Sequence, residues 1–180
     1  MRRAAIVSPV RSAVGSFGGS LRSVPVEKMS ATVISAILER TGISPEKIEE
    51  VIFAQSYASG ETPCVGRWAA LEAGLPIETA GMQIDRRCGG GLQSVITAAM
   101  MVQTGATDVV IAGGVESMSN VEYYTNDMRW GKRAGSVKMH DRLDRGRERS
   151  QPVERFGEIS GMIETAENLV KAGADALVIG

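Results

Sequence analysis

Histidine occurs once in this chain, cysteine twice, and aromatic residues make up only 4% of its 180 positions. Two cysteines are too few for a disulfide framework, so free thiols in a reducing cytoplasm are expected. Basic and acidic residues nearly cancel, 20 against 21, which gives no sign of a nucleic-acid or membrane-surface partner. Long apolar runs are also missing. The first one, residues 4–7, breaks at Ser8, Pro9 and Arg11, too soon for the core of a signal peptide. What remains is an ordinary apolar fraction, 43%, with 21 glycines, the composition of a globular α/β protein with one main core and a partial appendage.

Short apolar runs alternate with helical periodicities. Residues 4–8 are apolar and bounded by proline, as in a strand buried in a parallel sheet. A glycine-rich loop follows over residues 10–21, but it lacks the Gly-Lys-Ser/Thr ending of a phosphate cradle. Met29, Val33, Ile34, Ile37 and Leu38 recur at helical spacing, and Gly42 is placed to end that helix. Ser44 and Pro45 open a short acidic turn, residues 51–54 read as a second strand, and residues 63–73 as a second helix. Residues 80–84 form a third strand, residues 92–102 a buried helix, apolar on nearly all sides and stopped at Gly105, and residues 108–113 a fourth strand. This alternation with short connections predicts a mostly parallel sheet covered by helices, with the working residues at the carboxyl ends of its strands.

Cys88 falls at such a place, between the third strand and the helix after it. Free N–H groups and the positive end of a helix dipole favour a thiolate there, and Gly89, Gly90 and Gly91 let a bulky substrate approach the backbone. The alternative is an inert buried cysteine, the commonest state of the residue. Cys64, near the start of the second helix, is a rival by the same dipole reasoning. Past Ser119 the character changes. Nine Arg and Lys against four Asp and Glu in residues 129–155 describe a solvated arm, or a patch that steers phosphates. His140 lies in this stretch. Helical spacing returns over residues 156–171 through Met162, Ala166, Leu169 and Val170.

The run Ile84-Asp85-Arg86-Arg87-Cys88-Gly89-Gly90-Gly91-Leu92-Gln93-Ser94-Val95 resembles the acylated-cysteine segment of the thiolases, the acyl-CoA C-acyltransferases. Three further stretches resemble the same family in the same order. They are the loop from Arg11 through Phe17 and Gly19 to Leu21, the phrase Gly113-Gly114-Val115-Glu116-Ser117-Met118-Ser119, and Met162-Ile163-Glu164-Thr165-Ala166-Glu167-Asn168. Arg129-Trp130-Gly131 is similar to a family loop that helps assemble subunits. The resemblance implies the layered thiolase fold, with an N-terminal α/β domain at residues 1–119 and part of a loop domain at 120–171. Residues 172–180 are then a candidate closing strand of the N-terminal sheet, centred on 176–179.

The same resemblance implies that Cys88 takes an acyl group from coenzyme A as a thioester. Met162, Met118, Gly89 and Gly90 are then substrate contacts, and Cys64 is a packing residue. Coenzyme A thioester is substrate, with no permanent cofactor and no metal, and the expected assembly is a homodimer or homotetramer. Departures stand at Asp85, where asparagine is common, Gly90 for serine, Gly161 for histidine and Ile163 for glycine. Asp85 places a carboxylate three residues from the thiol, where it opposes a thiolate. The family's activating histidine, water-orienting asparagine and second cysteine come from a C-terminal half whose motifs do not occur in these 180 residues. Two functions follow as expectations. One is an acyltransferase completed by a C-terminal thiolase half and inactive alone; the other is a non-catalytic assembly or acyl-CoA-binding module.

Overall fold

The computed structural model describes residues 2–158 and 161–174, which divide into two compact units, the first ending at Val121 and the second beginning at Glu122. In the first unit, helix α1 (Val26–Thr41) turns its apolar positions onto the core and stops at Gly42. Gly42 adopts φ 62°, and its N–H donates to the Leu38 carbonyl at 2.9 Å, a left-handed cap that favours glycine. A single 3₁₀ turn at Pro45–Lys47 leads into strand β1 (Glu50–Ala54), followed by α2 (Val65–Glu72), β2 (Ala80–Ile84), α3 (Gly90–Thr104) and β3 (Val110–Gly114). The three strands are parallel in the order β2-β1-β3.

β1 lies in the middle because it is apolar on both faces. Val51 and Phe53 join Ile34 of α1 and Val65, Ala69 and Ala70 of α2 in one buried cluster. Ile52 and Ala54, on the other face by strand alternation, lie on the α3 side, where a Cβ at Gly90 would come 2.8 Å from Ala54 Cβ. Gly90, Ser94 and Ala98 are the buried stripe of α3, small residues four apart that let helix and sheet approach closely. Ser94 Oγ reaches the Gly91 and Gly113 carbonyls at 2.7 and 2.8 Å and ties the helix to the end of β3. Ser94→Ala should therefore lower stability by about 1 kcal/mol in urea unfolding, since the part-buried Gly113 carbonyl loses its donor.

Glu50 begins β1, and burial pushes its carboxyl above the ordinary carboxylate value. A raised acid favours the fold only while protonated, so that contribution is lost as pH rises through the folded value. Glu50→Gln should raise the urea midpoint at pH 7 and leave it unchanged below about pH 4, where both states bind the proton.

Three expectations are corrected. Residues 4–8 form no strand: Ile6 and Val7 are 78% and 70% exposed, and the stretch makes no ladder hydrogen bond. Before it, Arg2 docks on the far end of α3, its N–H donating to the Gln103 carbonyl at 3.4 Å and its guanidinium pairing with Asp108. A short apolar run looks alike whether or not a neighbouring strand pairs with it. α3 is buried on one stripe only, with Leu92 68% exposed, because the sheet meets a single side of it. The helix read over residues 156–171 begins only at Met162, and Phe156 is the last residue of a separate short helix. Gly157, at φ 72°, stands directly after Phe156 and ends that short helix.

The second unit holds a two-stranded antiparallel pair, β4 (Tyr123–Tyr124) and β5 (His140–Asp141), then α4 (Arg142–Glu148), α5 (Val153–Phe156) and α6 (Met162–Lys171). The basic stretch is thus partly ordered. Asp141 caps α4 by accepting from the Leu143 N–H at 2.9 Å, and Arg142 pairs with Glu122 at 2.7 Å. The candidate closing strand at 176–179 lies outside the described residues. Among those described, no helix is long and apolar enough to cross a membrane.

Candidate functional site

All three strands deliver loops to the same end of the sheet. β1 runs into Gln55, Ser56 and Tyr57, β2 into the turn that carries Cys88, and β3 into Val115, Glu116 and Met118. The parallel register places Ala54 beside both Ile84 and Gly114, so these loops start at one level. Between them lies a cleft of about 580 Å³. Cys88 and Met118 line it together with Tyr57, Arg87, Gly91 and Glu116.

Cys88 is the middle residue of a 3₁₀ turn, Arg87–Gly89, immediately before α3, and its thiol is free and exposed. A cysteine packed into the core would be hidden from a substrate. The N–H groups of Gly89 and Gly90 donate to the Arg86 and Arg87 carbonyls, so they close the turn. Gly91 lines the cleft, whereas Gly90 faces Ala54. A serine at position 90 would bring the same crowding, which gives the glycine there a packing reason. Cys64 stands differently. It caps α2, is half-buried, and its Sγ donates to the Gly81 carbonyl at 3.5 Å.

The charges around the thiol are matched. Asp85 accepts the Arg87 N–H at 2.9 Å on one carboxylate oxygen, and its other oxygen lies 3.5 Å from the Arg87 guanidinium. A side-chain oxygen two residues before the N–H is a turn that asparagine also makes, which accounts for the exchange at position 85. It also means that the carboxylate nearest Cys88 in sequence is paired. Arg86 engages Gln93 on α3. Glu116 accepts the N–H groups of Ser56 and Tyr57 at 2.8 and 3.3 Å and so braces the β1 loop from the β3 side.

Behind these, Ser119 Oγ takes the Gly18 N–H at 2.8 Å, and the Asn120 amide donates to the Arg22 carbonyl at 2.7 Å. The glycine-rich N-terminal loop is thereby tied to the β3 turn. Met162 and His140 belong to the second unit. Met162 opens α6 and is 76% exposed, and the His140 ring lies 5.5 Å from that of Tyr124. Tyr57 and Arg87 were not singled out from the sequence. Their one signal is position, directly after a strand's carboxyl end.

Residues 4–170 match the N-terminal domain of thiolase. The chain belongs to the thiolase family. An acetyl-CoA acetyltransferase of Cupriavidus necator is 42% identical over 138 residues, which is 77% of this chain and 35% of that protein. The cytosolic acetyl-CoA acetyltransferase of Mus musculus is 38% identical over 138 residues, 77% of this chain and 34% of that protein. The crystal structure of the Bacillus anthracis acetyl-CoA acetyltransferase superposes with a TM-score of 0.81 at 37% identity, covering 91% of this chain and 40% of that one. This thiolase chain therefore spans about a third of the length of the curated relatives it matches. Within that third lie the cysteine, its turn and the cleft.

Proposed function

We propose that this chain supplies the acyl-accepting part of an acyl-CoA C-acyltransferase. The observation that carries the reading is the exposed Cys88 thiol at the mouth of the cleft, on a turn at a helix start, in a chain similar to acetyl-CoA acetyltransferases. The Cys88 thiolate attacks the thioester carbonyl of an acyl-CoA, a new carbon–sulfur bond forms, and coenzyme A leaves as its thiolate. The acyl group then passes from Cys88 to a second nucleophile. Two transfers replace one difficult carbon–carbon step, the usual benefit of a covalent intermediate. The Cys88 N–H is the donor proposed for the developing oxyanion.

A thiol of this kind needs a base, and the resemblance assigns that role to a histidine of a C-terminal half, with a second cysteine as acid. We infer that turnover needs those groups from outside these residues, that the protein works in the cytoplasm, as the name of the cytosolic relative suggests, and that it assembles as the homodimer or homotetramer the resemblance implies. Met118 lines the cleft and is the proposed contact for the acyl group. Acetyl transfer from acetyl-CoA, assayed with this chain alone and with an added thiolase C-terminal half, tests the reading. Turnover that appears only with the added half is the expected result. An absence of turnover in both would leave a non-catalytic binding or assembly module.

A further inference from the structure

Arg87 is the residue of this cleft with the most unusual backbone, and its side chain holds the opposite rim. It adopts φ 47°, in the left-handed region that side chains other than glycine and asparagine seldom occupy. From there one guanidinium nitrogen donates to the Ser56 carbonyl at 2.7 Å, and the guanidinium carbon lies 5.7 Å from the centre of the Tyr57 ring. That second distance is within cation–π range. Both backbone groups of Ser56 are consequently held: its N–H by the Glu116 carboxylate, its carbonyl by Arg87. Asp85 balances the guanidinium charge, so Arg87 does not present a free cation to an anionic substrate.

We infer that Arg87 is a positioning residue that pins Tyr57 at the rim of the cleft and so limits the size of the acyl group Cys88 can accept. The inference rests on the acyl-transfer reading for its substrate and on geometry for its mechanism. A shift of one methylene-sized contact in an apolar pocket changes selectivity by roughly 10- to 200-fold, so a rim aromatic freed from its cation should be felt clearly. Arg87 stands next to Cys88 in sequence, yet it acts through a loop 30 residues earlier, which the parallel pairing of β1 and β2 brings alongside.

The test uses the whole chain carrying Cys64→Ser, so that Cys88 is the only thiol. Cys88 is alkylated with two neutral maleimides, one small and one bearing a large aromatic group, and the ratio of their rates is compared among variants. Arg87→Asn keeps a residue that tolerates the left-handed backbone and should raise the bulky-to-small ratio roughly tenfold. Tyr57→Ala should raise it similarly, and the double variant should add nothing further, since both changes release one rim. Arg87→Lys, which can still donate to the Ser56 carbonyl, should stay near the unsubstituted ratio and covers the case in which Arg87→Asn does not fold. An unchanged ratio in Arg87→Asn or Tyr57→Ala, additive effects in the double variant, or an Arg87→Lys ratio as high as that of Tyr57→Ala would overturn the inference. A parallel arm exposes each protein, together with the added thiolase C-terminal half, to acetyl-CoA and to a longer acyl-CoA and follows the mass of the adduct. If no protein is acylated, the acyl-transfer reading fails, while the alkylation ratios still decide the role of Arg87.

Discussion

Gly81→Ala should cost about 3 kcal/mol or more of stability, measured as the shift in urea midpoint at constant slope. Overpacking of that kind is cheap only when a flexible side chain can move away. At Gly81 it cannot, because an added Cβ would lie 2.3 Å from Arg67 Cα and 2.5 Å from Arg67 N, both backbone atoms of α2. The contact is mirrored from the helix, where a Cβ at Gly66 would meet the Met82 and Val51 carbonyl oxygens at 2.5 and 2.8 Å. Two glycines thus let α2 lie directly on β1 and β2. Pushing α2 away would also shift β2, which ends four residues before Cys88. Gly91→Ala is the matched control, since a Cβ there meets nothing within 4 Å and the site is helical. Its stability should hold or rise by up to about 1 kcal/mol.

Cys88→Ala should abolish acyl transfer by the assembled enzyme, by several orders of magnitude in kcat. Loss of a covalent nucleophile removes the route itself, and what survives reflects binding and polar stabilisation alone. The same change should leave the folded state almost untouched, within about 0.5 kcal/mol, because the thiol is free and exposed. Cys64→Ser offers the contrast. Cys64 is half-buried against the Gly81 carbonyl, so its replacement bears on the seam between α2 and β2 and should leave acyl transfer in place. Steady-state rates beside urea unfolding of the two variants separate the chemical thiol from the packing thiol.

How far the sequence could be read depends on the range of each interaction. α1 and α3 end at Gly42 and Gly105, both left-handed caps at φ 62° and 79°, because a helix stop is written within a turn of its own residues. The position of Cys88 before a helix was legible for the same reason. Residues 4–8 were not, since a buried strand is decided by its neighbour and the run carries no record of one. The outer face of α3 misled similarly. Leu92, Ile96 and Met100 are as apolar as a buried face, yet they stand partly or largely exposed here.

The cleft needed the register most of all. Glu116 gathers two N–H groups some sixty positions away, and Arg87 reaches Ser56 across 31. No local pattern announces either. Asp85 differs between the two: in the sequence it opposes a thiolate, and in the fold it is the turn-forming partner of Arg87. The site is therefore a fixed frame around one thiol, with its nearest charges paired and its rim held from two strands.

Intact-protein mass spectrometry after exposure to acetyl-CoA in the presence of the thiolase C-terminal half, with peptide mapping of the adduct, addresses that thiol directly. The added mass should be one acetyl group on the peptide containing Cys88, absent in Cys88→Ser and retained in Cys64→Ser. An acetyl group that maps to Cys64, or that survives in Cys88→Ser, would contradict the assignment of Cys88 as the acyl acceptor.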